Sequence, residues 1–167
     1  TYFELLRAPR AIVGTLIVIK MGLFNFLNAD THMEIGSYLL LVLALFLIGM
    51  SGFLIHDIYN VGPDKINYPN KVLVQEKISL RTAKNIYWAL SISGVVIGML
   101  ISLFNGYPSY GVIFIAIASI PYFYSTTLKN SGIVGNLILA SLGFVIFVIT
   151  AIFDLMPTIT TRNQYHK

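Results

Sequence analysis

His56, Asp57, Asn60 and Asp64 are the side chains whose types and spacing first suggest chemistry. His56, Asn60 and Asp64 stand at i, i+4 and i+8, and Asp57, Asn60 and Asp64 at i, i+3 and i+7. Either set shares one face if the helix persists. Carboxylates and an amide on one face suit a hard cation. Mg²⁺ takes oxygen ligands, keeps several waters, and is usually held by one or two carboxylates together with substrate phosphates. Lys65, Lys71 and Lys77 follow and can hold phosphate oxygens. The pattern points to a Mg²⁺–diphosphate site. The competing account is that Asp57 and Asp64 are solvated loop residues and that Gly62-Pro63 is the turn ending the helix. Pro63 also disfavours an α conformation at Gly62.

A second polar stretch runs Tyr124-Ser125-Thr126-Thr127-Leu128-Lys129-Asn130, followed by Gly132 and Gly135-Asn136. Lys129 is the only cation of its loop, and an orientation charge is its simplest account. Asn136 lies inside an apolar run, so its amide must find a partner and marks an interior face. Lys20 can snorkel or pair within a bundle. His32 reads as an exposed loop residue. Tyr87 and Trp88 read as an interfacial aromatic belt. Gly94 and Gly98 read as helix packing. No Ser/His/Asp set, phosphate-cradling Gly-rich loop or His-rich metal spacing is present.

The elements that must position these residues follow from composition. Of 167 residues, 56% are hydrophobic and 11% charged, and the mean hydropathy is +0.78. Soluble domains carry about 25% charged residues. The shortfall excludes a disordered chain, a nucleic-acid module and an ordinary soluble enzyme, and leaves an all-α integral membrane protein. The absence of cysteine excludes disulfides, thiolate metal sites and Cys nucleophiles. The net charge of +4 sits beside apolar spans, as loop charges that fix orientation do.

A bilayer core of roughly 30 Å needs about 20 apolar residues per helix. Five runs are predicted to span it as one membrane domain over 1–167: 11–27, 35–58, 86–104, 110–124 and 132–153. Continuous apolar runs exclude a β-barrel, whose strands alternate. Lys and Arg cluster before the first span (Arg7, Arg10), at 57–85 (Lys65, Lys71, Lys77, Arg81, Lys84) and at 125–131 (Lys129), and are absent from 28–34 and 105–109. The alternation puts the N-terminus and the 57–85 and 125–131 loops on the cytoplasmic side of a multi-pass protein. Arg162 and Lys167 then fall on the opposite side, and the chain opens on Thr1. Both are expected of a truncated chain, and no secretory signal is visible.

With these residues in place, the chain resembles the UbiA superfamily of intramembrane prenyltransferases, matching the first five of about nine helices. Leu6-Arg7-Ala8-Pro9-Arg10 resembles the family's opening segment, with Arg10 where Asn is usual. The second span ends in His56-Asp57-x-x-Asn60-x-x-x-Asp64, where the family has Asn-Asp-x-x-Asp-x-x-x-Asp. Ile66-Asn67-Tyr68-Pro69-Asn70-Lys71 follows, then Lys77-Ile78-Ser79 and Arg81. Tyr124-Ser125-x-x-Leu128-Lys129 with Gly135-Asn136 is similar to the family's next cytoplasmic loop.

The resemblance implies Mg²⁺-dependent transfer of an isoprenyl group from its diphosphate to a lipid or aromatic quinone-precursor acceptor in the membrane, without nucleic acid. It implies Asp57, Asn60 and Asp64 at the metal, and Asp57, Asp64 and Lys129 in the reaction. It implies Arg7, Asn67, Asn70, Lys71, Lys77, Arg81, Tyr124 and Asn136 around the diphosphate. Lys71 replaces an Arg and gives a weaker, non-bidentate contact. Asn60 removes one negative ligand, and His56 is a poorer match for Mg²⁺. A second Asp-rich motif is absent from these 167 residues, so the chain alone is expected to be inactive. Two other readings stand beside this one. The first is a non-catalytic relative with a decayed metal site. The second is a small transporter or channel subunit, which would need charged or broken mid-membrane helices where only Lys20 qualifies.

Overall fold

The computed structural model describes residues 16, 20, 33–67, 74–75, 77–128, 144–145 and 148–153. It is helical, with no strand among the described residues. Helix α1 spans Ile35–Asn67 and α2 spans Leu80–Phe104. A 3-10 turn at Pro108–Tyr110 leads into α3, Gly111–Phe123, which continues as a π-helical turn over Tyr124–Leu128. Three helices, Ile35–Pro63, Leu80–Phe104 and Pro108–Leu128, are long and apolar enough to cross a membrane. They correspond to the expected spans 35–58, 86–104 and 110–124. The expected spans 11–27 and 132–153 lie largely outside the described residues, although Leu16, Lys20 and 148–153 are helical where described.

Two boundaries differ from expectation for local reasons. The helix α1 does not end at Gly62-Pro63 but runs on to Asn67. Pro63 removes only the bond to the Tyr59 carbonyl. At about 1.5 Å per residue, 33 residues reach about 50 Å, well beyond a core of about 30 Å. The helix is therefore longer than a bilayer core requires. The helix α2 starts six residues before the expected 86, because Ser79 caps it. Ser79 is extended (φ −62°, ψ 149°), and its Oγ accepts from the Thr82 backbone N–H at 3.1 Å. At the other end Gly106, with φ +81°, closes the helix, and Tyr107 N–H donates to the Ser102 carbonyl at 2.9 Å.

Small residues set the helix contacts, as expected of Gly94 and Gly98. A Cβ on Gly94 would stand 2.9 Å from the Ala44 carbonyl oxygen, and one on Gly98 would overlap the Phe114 ring. The helix α2 thus packs on α1 through Gly94 and on α3 through Gly98. Leu41, Ala44, Leu45 and Ile48 of α1, Ile101 of α2, and Phe114 and Ile117 of α3 form one buried cluster, which Leu16, Ile149 and Phe153 join. Tyr38 Oη donates to the Leu16 carbonyl at 2.5 Å, and Lys20 Nζ lies 4.9 Å from the Tyr38 ring centroid. A second cluster, Leu54, Ile55, Ile58, Val61, Ala83 and Tyr87, closes the other end of α1 and α2. Val74 folds back onto it, and bridges to Ile78 across a tight turn. Gln75 N–H donates to the Ile78 carbonyl at 2.8 Å, and Gln75 holds φ +71°.

Candidate functional site

Because α1 persists through Pro63, positions 57, 60 and 64 fall on one helical face. His56 and Asn60, one turn apart, pair directly: Asn60 Nδ2 donates to His56 Nε2 at 2.8 Å. The same amide nitrogen lies 3.4 Å from Nδ1, so the shorter contact is to Nε2. Nδ1 faces Asp57 Oδ1 at 3.7 Å. The His56 and Asp57 side chains remain 40% and 42% exposed. Asn60 thereby fixes the imidazole, and the imidazole faces a carboxylate left open to a ligand.

Helix α3 reaches the same place. A Cβ on Gly52 would stand 3.1 Å from Pro121 Cγ, so α1 and α3 approach closely there. One turn further along each helix, the His56 and Tyr124 rings stack, with centroids 6.4 Å apart and planes at 9°. Pro121 has no N–H to give the Ile117 carbonyl, and the helix beyond it widens into the π turn. Thr126 Oγ1 donates to the Tyr122 carbonyl at 2.8 Å within that turn. Tyr124 is buried, and Ser125 is 1% exposed. Among the described residues Ser125 Oγ has no hydrogen-bond partner. Buried hydroxyls are normally paired, so this one is an open donor beside the His56–Tyr124 pair in sequence.

The structure therefore brings Asp57, Asn60 and Tyr124 together through His56. Asp64 and Asn67 are on α1, but their side chains lie outside the described residues. Lys77 is exposed in the 74–78 turn. Arg81 is exposed in the first turn of α2, on the face away from Ala83, Tyr87 and Gly94, which pack inward. Arg7, Asn70, Lys71, Lys129 and Asn136 lie outside the described residues. Sequence reading did not anticipate that His56 and Asn60, the two departures from the family motif, bond to each other. Their i, i+4 spacing was the available signal. Nothing in the sequence flagged Ser125 as unpaired.

Among the described residues no three His, Cys, Asp or Glu side chains come together to hold a metal. Asp57 and the Asn60 amide oxygen are hard donors on one face. Oxygen donors of this kind are what Mg²⁺ takes, and Asp57 and Asn60 would be the residues to hold it, with charge neutralisation the chemistry it would supply.

These features define a helical membrane protein with its polar chemistry gathered where two apolar helices end. The model of the UbiA prenyltransferase family matches residues 15–161, and the chain belongs to that family. It is 37% identical to the digeranylgeranylglyceryl phosphate synthase of Methanococcus aeolicus, over 88% of this chain and 50% of the relative. It is 30% identical to the enzyme of that name from Saccharolobus solfataricus (84% and 47%) and 27% identical to that from Sulfurisphaera tokodaii (83% and 47%). The chain thus spans about half the length of the curated relatives it matches. No solved structure matches it.

Proposed function

We propose that this chain forms part of a Mg²⁺-dependent transferase that moves an isoprenyl group from its diphosphate to a lipid acceptor within the membrane. Family membership supports the reaction class. The relatives' name supports a geranylgeranyl donor and a glycerophosphate lipid acceptor. The observation that carries the reading for this chain is the meeting of Asp57, Asn60 and Tyr124 around His56, at the ends of α1 and α3.

In this account the bond between isoprenyl C1 and the diphosphate oxygen breaks, and the electron pair leaves with the diphosphate. An acceptor hydroxyl oxygen bonds to C1 and releases its proton to a diphosphate oxygen or water. Bound Mg²⁺ supplies charge neutralisation for the leaving group. Asp57, Asn60 and Asp64 hold the ion, and Asn60 keeps His56 turned so that Nδ1 faces Asp57. Tyr124, Lys129 and Lys77 contact diphosphate oxygens, with Arg7, Asn67, Asn70, Lys71 and Asn136 completing the set. This proposal leaves Arg81, exposed in the first turn of α2, outside the diphosphate set. The apolar bundle keeps water from a cationic C1. The charge alternation supports a cytoplasmic N-terminus, a diphosphate site on the cytoplasmic side and five spans.

One observation favours a second reading, a non-catalytic relative. His56 and Asn60 satisfy each other, as residues freed from metal binding would. Titration of geranylgeranyl diphosphate into the detergent-solubilised protein, with Mg²⁺ or with EDTA, separates the two. Mg²⁺-dependent binding that Asp57→Asn removes supports the transferase. Binding indifferent to both Mg²⁺ and Asp57 supports the alternative.

A further inference from the structure

Helices α2 and α3 leave a groove of about 370 Å³ on the side where Trp88 and Phe123 are exposed. Trp88, Ile92 and Val95 of α2 wall one side, and Ile115 and Phe123 of α3 the other. Ser119 Oγ donates to the Ile115 carbonyl at 2.7 Å. A groove walled mainly by aromatic and aliphatic side chains suits an apolar chain better than a polar ligand.

On α2, one to two turns before the first residue that lines the groove, Arg81 and Lys84 stand in sequence. Arg81, Lys84, Trp88, Ile92 and Val95 are spaced by three, four, four and three residues, which is one continuous stripe of α2. Arg81 and Lys84 are both exposed, and α2 carries no Asp or Glu along its length. From Arg81 to Val95 the helix rises about 21 Å, close to one leaflet of a bilayer about 40–45 Å thick including its headgroups. The stripe thus offers two cations at headgroup height, an aromatic at the interface and an apolar wall below.

We infer that this groove is a binding site for an anionic phospholipid of the surrounding leaflet. Arg81 and Lys84 hold the phosphate, and one acyl chain lies between α2 and α3. The groove is separate from the His56–Tyr124 site, and the inference needs only that the chain is embedded in a membrane. It stands or falls independently of prenyl transfer.

Trp88 is the single tryptophan, so the site contains its own probe. The full chain in detergent micelles is titrated with phosphatidylglycerol or phosphatidylcholine carrying brominated acyl chains, and Trp88 fluorescence is followed. Phosphatidylglycerol is expected to quench at lower mole fraction than phosphatidylcholine. Arg81→Gln with Lys84→Gln should cost about thirtyfold in that preference, the effect of two interfacial cations. Ser119→Leu, which fills the groove floor, should weaken quenching by both lipids. Lys65→Gln, which removes an exposed charge on α1, should leave the preference intact. Circular dichroism shows whether each variant keeps its helices. Three results overturn the inference: equal quenching by the two lipids in the wild type, a preference that survives loss of Arg81 and Lys84, or a preference that Lys65→Gln abolishes as well.

Discussion

The two ends of the same three helices are built differently. Around Ala44, Ile48, Gly94, Gly98 and Phe114 there is no spare room: glycines let backbone and ring approach, and the side chains between them are buried. Around His56, Asp57 and Tyr124 the helices still meet, through Gly52 and Pro121. There, however, the carboxylate stays open, a hydroxyl is buried without a partner among the described residues, and α3 gives up regular geometry for a π turn. A close-packed half can hold a loosely filled polar end at fixed separation. The polar end can then keep groups unpaired that a ligand would satisfy, at a stability cost the packed half offsets.

That contrast can be broken from the packed side first. Gly98→Val pushes a side chain into the Phe114 ring and should cost about 3 kcal/mol, the upper range for overpacking. Thermal unfolding in detergent, read at Trp88, measures it. An unchanged midpoint would mean the two halves do not differ as described. His56→Ala should act on the other end and on another observable. It should cost about 1 kcal/mol of stability but about 10–100-fold in Mg²⁺-dependent diphosphate affinity, as loss of an orienting partner does. Titration calorimetry beside unfolding separates the two effects.

Much of the architecture was legible because lipid leaves the backbone so few options. The apolar runs at 35–58, 86–104 and 110–124 located α1, α2 and α3, and the spacing of Gly94 and Gly98 identified a packing face. The boundaries were less legible. Ser79 capping α2 depends on a single rotamer. The passage of α1 through Pro63 depends on where the membrane surface falls, which no local rule encodes. For the site, the shared face of Asp57, Asn60 and Asp64 was readable from spacing once the helix persisted. The stacking of His56 on Tyr124 joins residues from two helices, and the sequence carries no signal for it. The unpaired Ser125 hydroxyl depends on the π turn, and so on how α3 relaxes beyond Pro121.

Two smaller effects sharpen the same comparison. Ser79→Ala removes the α2 cap and should cost about 1 kcal/mol in unfolding, with amide hydrogen exchange rising in the first turn of α2. Ser125→Ala removes a hydroxyl that has no partner among the described residues, so stability should hold or rise by at most about 1 kcal/mol. A clear loss in the unfolding midpoint would show that this hydroxyl is bonded in the folded protein and that the polar end is less open than described.

The central claim is that the ends of α1 and α3 act on one ligand. A double-mutant cycle on Mg²⁺-dependent geranylgeranyl diphosphate affinity, built from Asp57→Asn and Tyr124→Phe, tests it most directly. Each substitution should weaken binding by about tenfold or more while the unfolding midpoint stays put. The pair should be coupled by more than about 0.5 kcal/mol. Binding that is unmoved by either change, or free energies that simply add, would contradict a shared site.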